Sequence, residues 1–277
     1  MFDLRKVALS GMVSPLKKVL TNTAVRTMLF NAIRLNRPQI ADLILNEDVR
    51  FLSYCLARRT WSRAQILQDL WVCFELGEVY GGYFVEFGST NGLKNSNTWL
   101  LETKFGWSGI LAEPNPVWHL ELASNRKAHI DHRCVSSKSN ATVTFLTTDS
   151  SDPELSSIAE FSRDDHFSDT RSRGTAIEVG TISLEDLLNT YDAPEVINYL
   201  SIDTEGSELD ILSAYGFERR FDLISVENNP KTEGMIEELL QQQGYRRVYR
   251  QFSQWDGWYV FEGLRKKQAP VVVAPMS

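Results

Sequence analysis

The chain has 277 residues, 43% of them apolar, and a formal charge of −7 at neutral pH. That length and apolar share suffice for one catalytic-sized domain with a helical addition, while the acidic balance argues against a nucleic-acid partner, whose phosphates require a basic surface. Cys55, Cys73 and Cys134 are odd in number and widely spaced, which excludes a paired-cysteine metal motif and fits reduced thiols in a cytoplasmic protein.

Met1 to Leu20 breaks its apolar run at Ser10-Gly11 and Ser14-Pro15, so it lacks a signal-peptide core. No apolar run approaches the about 18 residues of a membrane span, and a soluble protein is expected. Residues 1–78 read as a helical extension: Val25, Met28, Leu29 and Ile33, then Ile40, Leu43 and Ile44, then Phe51, Leu52, Cys55 and Leu56 recur at helical spacing. Asn36-Arg37-Pro38 and Asn46-Glu47-Asp48 are the expected breaks. Such an extension is either a packed addition or a lid or homo-oligomerisation arm.

From Gly81 the pattern turns to strand, helix, strand, and 79–264 reads as one α/β domain. Tyr83 to Phe87 is an apolar run interrupted by Glu86 and followed by Gly88-Ser89-Thr90-Asn91-Gly92. A second run, Gly109 to Ala112, ends in Glu113-Pro114-Asn115-Pro116. This is the layout of a nucleotide-binding βαβ unit, in which the glycines admit a tight turn and Glu113 accepts hydrogen bonds from ribose hydroxyls. Thr90 stands where a pyrophosphate-binding turn wants its second glycine, and Glu86 would repel a pyrophosphate but suits a cationic amino group. The pattern therefore favours S-adenosylmethionine over NAD, with Glu86, Gly88, Ser89, Thr90, Asn91, Gly92, Glu113 and Asn115 as the donor-binding set.

Asn97 to Lys104 and Trp118 to Asn125 are the next helices, with a third strand at Ile130 to Val135 and an added strand at Thr142 to Thr147. Residues 148–174 form a long polar stretch carrying His166, Arg171 and Arg173, expected to shape an acceptor pocket or to be disordered. Ile177 to Thr181 leads to a helix capped by Ser183 with Asp186 at capping-box distance. Val196 to Ile202 and Phe221 to Val226 are strands four and five, and Thr232 to Gln243 is a helix ended by Gly244. Tyr245 to Phe252 and Gly257 to Phe261 form a terminal hairpin, and 265–277 reads as a loose tail.

Four blocks carry a family likeness: Gly82 to Gly88; Ser96-Asn97-Thr98 through Pro116; Leu200-Ser201-Ile202-Asp203-Thr204-Glu205-Gly206-Ser207-Glu208-Leu209; and Ser225-Val226-Glu227-Asn228-Asn229. Over roughly residues 65 to 262 the chain resembles the FkbM-type S-adenosylmethionine-dependent methyltransferases, departing at Ser89-Thr90 in the donor turn. The resemblance implies a Rossmann-like class I methyltransferase fold with a seven-stranded mixed sheet in the order 3-2-1-4-5-7-6. It also implies O-methylation of a hydroxyl on a sugar or other small molecule.

Asp203 follows strand four, beside the expected place of the transferred methyl group, and is the first candidate for catalysis. Glu205 reads equally as a site residue or a helix cap, Glu208 as a cap, and His166 as a general base or a plain loop histidine. Asp203 with Glu227 and Asn228 is similar to the three-ligand site of metal-dependent catechol-type O-methyltransferases, and its hard oxygens suit Mg²⁺ or Mn²⁺. The alternative without metal has Asp203 holding the acceptor and the other two as pocket wall. Two further alternatives are a nicotinamide-dependent oxidoreductase and a non-catalytic binding protein on the same fold.

Overall fold

The computed structural model describes residues 46–147, 157–158 and 175–264, with isolated positions at 22–24, 27, 30 and 31. It divides into two compact units, Met1–Ser53 and Tyr54–Ser277. The apolar positions named from Val25 to Ile44, the expected break at Asn36-Arg37-Pro38, the tail from 265, and His166, Arg171 and Arg173 lie outside the described residues. In the first unit the side chain of Asn46 accepts a hydrogen bond from Val49 N at 3.1 Å and so starts a helix at the expected Asn-Glu-Asp break.

In chain order the helices are α1 (Glu47–Arg58), α2 (Gln68–Leu76), α3 (Trp99–Phe105), α4 (His119–Asn125), α5 (Leu184–Thr190), α6 (Glu208–Ala214) and α7 (Glu233–Gln242). The first strands are β1 (Tyr83–Phe87), β2 (Ser108–Ala112), β3 (His129–Asp131), β4 (Cys134–Ser136), β5 (Thr142–Thr147) and β6 (Ser157–Ile158). Then come β7 (Thr175–Ser183), β8 (Val196–Ile202), β9 (Arg220–Glu227), β10 (Tyr245–Val248) and β11 (Asp256–Phe261).

Seven strands make the main sheet in the order β3-β2-β1-β8-β9-β11-β10, which is 3-2-1-4-5-7-6 when those seven alone are counted. Strand β11 runs antiparallel to both neighbours, and the other pairings are parallel. The central strands are apolar on both faces because helices cover both, as a parallel sheet requires.

The expected third strand, Ile130 to Val135, is not one strand. Asp131 accepts hydrogen bonds from Arg133 N at 2.8 Å and from the Arg133 guanidinium at 2.6 Å, and this local ring turns the chain out of the main sheet. Cys134 to Ser136 then pairs with β7 in a second sheet, β4-β7-β5-β6, around Cys134, Phe145 and Ile158. The terminal hairpin is also shorter than expected, since β10 stops at Val248 and residues 249–252 turn.

Helix α2 packs within the second unit: all nine of its residues are buried, Trp71 stacks on Trp258 at 4.9 Å, and Gln68 Nε2 donates to Asp256 Oδ2 at 2.9 Å. The compact unit that holds α2 and the main sheet starts at Tyr54. Among the described residues no helix is long and apolar enough to cross a membrane.

Candidate active site

The turn after β1 is shaped by two approaches that tolerate no side chain. Gly88, at φ +68°, would place a Cβ 2.2 Å from the backbone oxygen of Asp203, so the ends of β1 and β8 meet here. Gly92, at φ +73°, would place one 2.5 Å from Arg126 Cγ. Between them Thr90 is left-handed at φ 47° although it carries a side chain, and its N–H donates to Glu113 Oε2 at 2.7 Å. That bond offsets the strain of the conformation and ties the turn to the end of β2. The side chain of Asn91 closes the loop by accepting from Leu93 N and Lys94 N. Ser89 is buried, and its Oγ has no partner.

Glu86 faces the start of α3. Its carboxylate accepts from Asn97 N at 2.8 Å, Thr98 Oγ1 at 2.5 Å and Ser96 Oγ at 3.1 Å, with the Arg126 guanidinium 3.6 Å away. Arg126, which the sequence presents as one more polar residue in Asn125-Arg126-Lys127, is a fully buried cation. It donates to Gly92 O, Ser96 Oγ, Thr98 Oγ1 and Glu102 Oε2, fixing the turn and the helix start in one network. No local sequence signal marks it.

Glu113 is also buried, and Asn115 N donates to its other oxygen at 2.8 Å. Burial, and more weakly the charge of Asp203, push its carboxyl up to about 7. Two backbone donors leave roughly half of the acceptor positions of an ionised carboxylate open, which suits a ligand with vicinal hydroxyls. Asn115 is buried, and its side chain accepts from Val117 N at 3.2 Å.

At the other strand ends, carboxylate oxygens of Asp203, Glu205 and Glu227 lie within 4.8 Å of one another. Asp203 is exposed at the rim of the site. Burial and the neighbouring charge of Glu208 raise its pKa, with a hydrogen bond to Glu227 acting the other way. Glu227 is raised further, by burial and then by Asp203, Glu205 and Glu208. Glu205 sits at φ 59°, whereas Glu208 is buried and its Oε1 accepts from Thr204 N, Thr204 Oγ1 and Gly206 N, so it ties down the loop before the helix rather than capping the helix's own N–H groups. Asn228 N donates to Trp255 O at 2.7 Å, and its Oδ1 is buried without a partner. Three carboxylates this close can hold a hard cation or take a proton from a hydroxyl near neutral pH.

These shifts have a stability consequence. Glu113 and Asp256 are pushed up to about 7 and Asp69 to about 6, each first by burial. The folded protein therefore keeps protons that the unfolded chain has lost, and stability falls as pH rises from about 4 to about 7. His119, lowered by burial and by His132, pulls the opposite way below about 6.5. At about 1.4 kcal/mol per unit the three acids outweigh it. Calorimetry should give a lower melting temperature at pH 8 than at pH 5.5 for the ligand-free protein, and the reverse order would refute the raised acids.

A family model described as methyltransferase FkbM domain matches residues 85–247, more than half of the chain. Among solved structures, a methyltransferase FkbM from Methylobacillus flagellatus KT is similar at 12% identity and a TM-score of 0.40, over 83% of this chain and 60% of that one. A precorrin-6y C5,15-methyltransferase from Geobacter metallireducens GS-15 has 10% identity and a TM-score of 0.36, over 69% and 85%. A human methyltransferase 10 domain containing protein has 14% identity and a TM-score of 0.37, over 77% and 94%. No curated protein matches.

Proposed function

Since the chain belongs to the FkbM methyltransferase family, for which S-adenosylmethionine is the expected cofactor, we propose that it transfers a methyl group from that donor to a hydroxyl of a sugar or other small molecule. The observation that carries this reading is the contact of Gly88 with the backbone of Asp203. It sets a donor turn directly against a cluster of acids able to receive a proton. The orphaned Ser89 Oγ, the half-open Glu113 carboxylate and the left-handed turn fit a nucleoside with an amino-acid tail. S-adenosylmethionine supplies an electrophilic methyl group on a sulfonium. Asp203 orients the acceptor hydroxyl and takes its proton, and the raised pKa suits that task near neutrality.

The cluster of Asp203, Glu205 and Glu227, with Asn228 beside it, also fits Mg²⁺ or Mn²⁺, which would acidify the hydroxyl. Three buried free thiols agree with a reducing, cytoplasmic setting. The nicotinamide alternative is disfavoured because Thr90 N, which a pyrophosphate would need, is committed to Glu113.

Calorimetric titration tests the reading. S-adenosylhomocysteine should bind and NAD should not, and Glu113→Ala should weaken binding by roughly 1–3 kcal/mol by leaving the ribose hydroxyls poorly paired. Unchanged affinity in that variant would remove Glu113 from the site. A protein that binds the product but never turns over with any hydroxylated acceptor would instead be the binding module.

A further inference from the structure

The amino-acid tail of the proposed donor carries an ammonium group, which needs an acceptor inside the site. Glu86, the acid expected from the sequence to supply it, is already engaged within the protein. Its oxygens take Asn97 N, Thr98 Oγ1 and Ser96 Oγ, Arg126 stands behind them, and the residue is 3% exposed. Three donors take most of the about four acceptor positions of a carboxylate, and the Arg126 cation already balances its charge, so Glu86 has little left to offer an ammonium.

The neighbouring residue has what Glu86 lacks. Asn97 Nδ2 donates to Ser201 Oγ at 2.9 Å, and Ser201 Oγ meets Ser225 Oγ, which meets Tyr199 Oη at 2.7 Å. This buried row of hydroxyls anchors the nitrogen end of the amide. The oxygen end, Asn97 Oδ1, is buried and has no partner, although the residue as a whole is half-open. An unmatched buried acceptor costs free energy and calls for a donor.

The place is also right. Glu86 pairs in register with Ser201, so Asn97 bridges the ends of β1 and β8 two residues before Asp203, and in open α/β sheets the ligand lies beyond those ends.

Resting on the donor reading above, we infer that Asn97 Oδ1, and not Glu86, receives the ammonium of S-adenosylmethionine. Glu86 is then a positioning residue, which holds the Asn97 backbone at 2.8 Å and so presents the amide.

Calorimetry with two ligands separates this from a merely structural role. One is S-adenosylhomocysteine, and the other is the same thioether lacking the amino group. Asn97→Ala should weaken the first about tenfold, equivalent to about 1.4 kcal/mol, and leave the second unchanged. Asn97→Asp, which keeps an acceptor in place, should restore binding of the first at pH 7.5. Equal weakening of both ligands, or of neither, overturns the assignment while the donor reading stands. Failure of the wild-type protein to bind S-adenosylhomocysteine sinks the donor reading and this inference with it.

Discussion

Arg126→Met should lower the free energy of unfolding by about 3–5 kcal/mol, the scale for removing one partner of a buried ion pair. The side chain of Arg126 is fully enclosed and serves Glu86, Glu102, the Gly92 carbonyl and two hydroxyls at once. Methionine fills a similar volume but supplies no donor, so two carboxylates lose their buried counter-charge and the turn carbonyl loses its partner. Lysine does not repair this, because a single ammonium cannot reach the spread of acceptors that a planar guanidinium spans. Arg126→Lys should recover less than half of the loss. Chemical denaturation measures both variants, and a loss below about 1 kcal/mol for Met would mean that the network is ornamental.

Asp203→Asn should lower turnover by about 10² or more with the affinity for S-adenosylhomocysteine little changed, the usual scale for a positioned acid-base group. The amide keeps the shape of the carboxylate but can neither take a proton nor balance a cation. Release of S-adenosylhomocysteine in the presence of an acceptor that the wild-type protein methylates is the measurement. Chelation then divides the two chemistries. Activity lost with EDTA and regained with Mg²⁺ or Mn²⁺ assigns Asp203, Glu205 and Glu227 to a metal, whereas indifference leaves Asp203 acting directly. A variant as fast as the wild type would move the chemistry away from the end of β8.

Much of this architecture was legible because it rests on local periodicity. Val196 to Ile202 reads as a mostly apolar strand and forms one over the same residues, since a central strand largely buried on both faces needs little else. Ser183 was legible as a cap for the same reason, and its Oγ accepts from Asp186 N at 3.1 Å. The split of Ile130 to Val135 was not, because an Asp131 to Arg133 ion pair leaves the apolar pattern intact while turning the backbone. Nor was the membership of α2 in the compact unit, since its partners Trp258 and Asp256 lie at the far end of the sequence. Within the site, the residue types at Glu86, Gly88 and Glu113 were readable from spacing. How many donors each carboxylate already holds is a fact of three dimensions, and it shifts attention from Glu86 to Asn97.

The position of β11 between β9 and β10 bears on how the chain reaches this state. Strand β10 is made first yet has no place in the sheet until β11 arrives to pair with it on one side and with β9 on the other. The same late strand brings Trp258 to Trp71 and Asp256 to Gln68, closing a loop of 188 residues. Closure over such a separation is paid in chain entropy before any contact repays it, which slows folding. Helix α2 can meet α3 and Tyr199 earlier in synthesis, but Trp71 gains its stacked partner and Gln68 its carboxylate only when the last strand has been made, so the packing of this N-terminal helix is completed by the C-terminal hairpin.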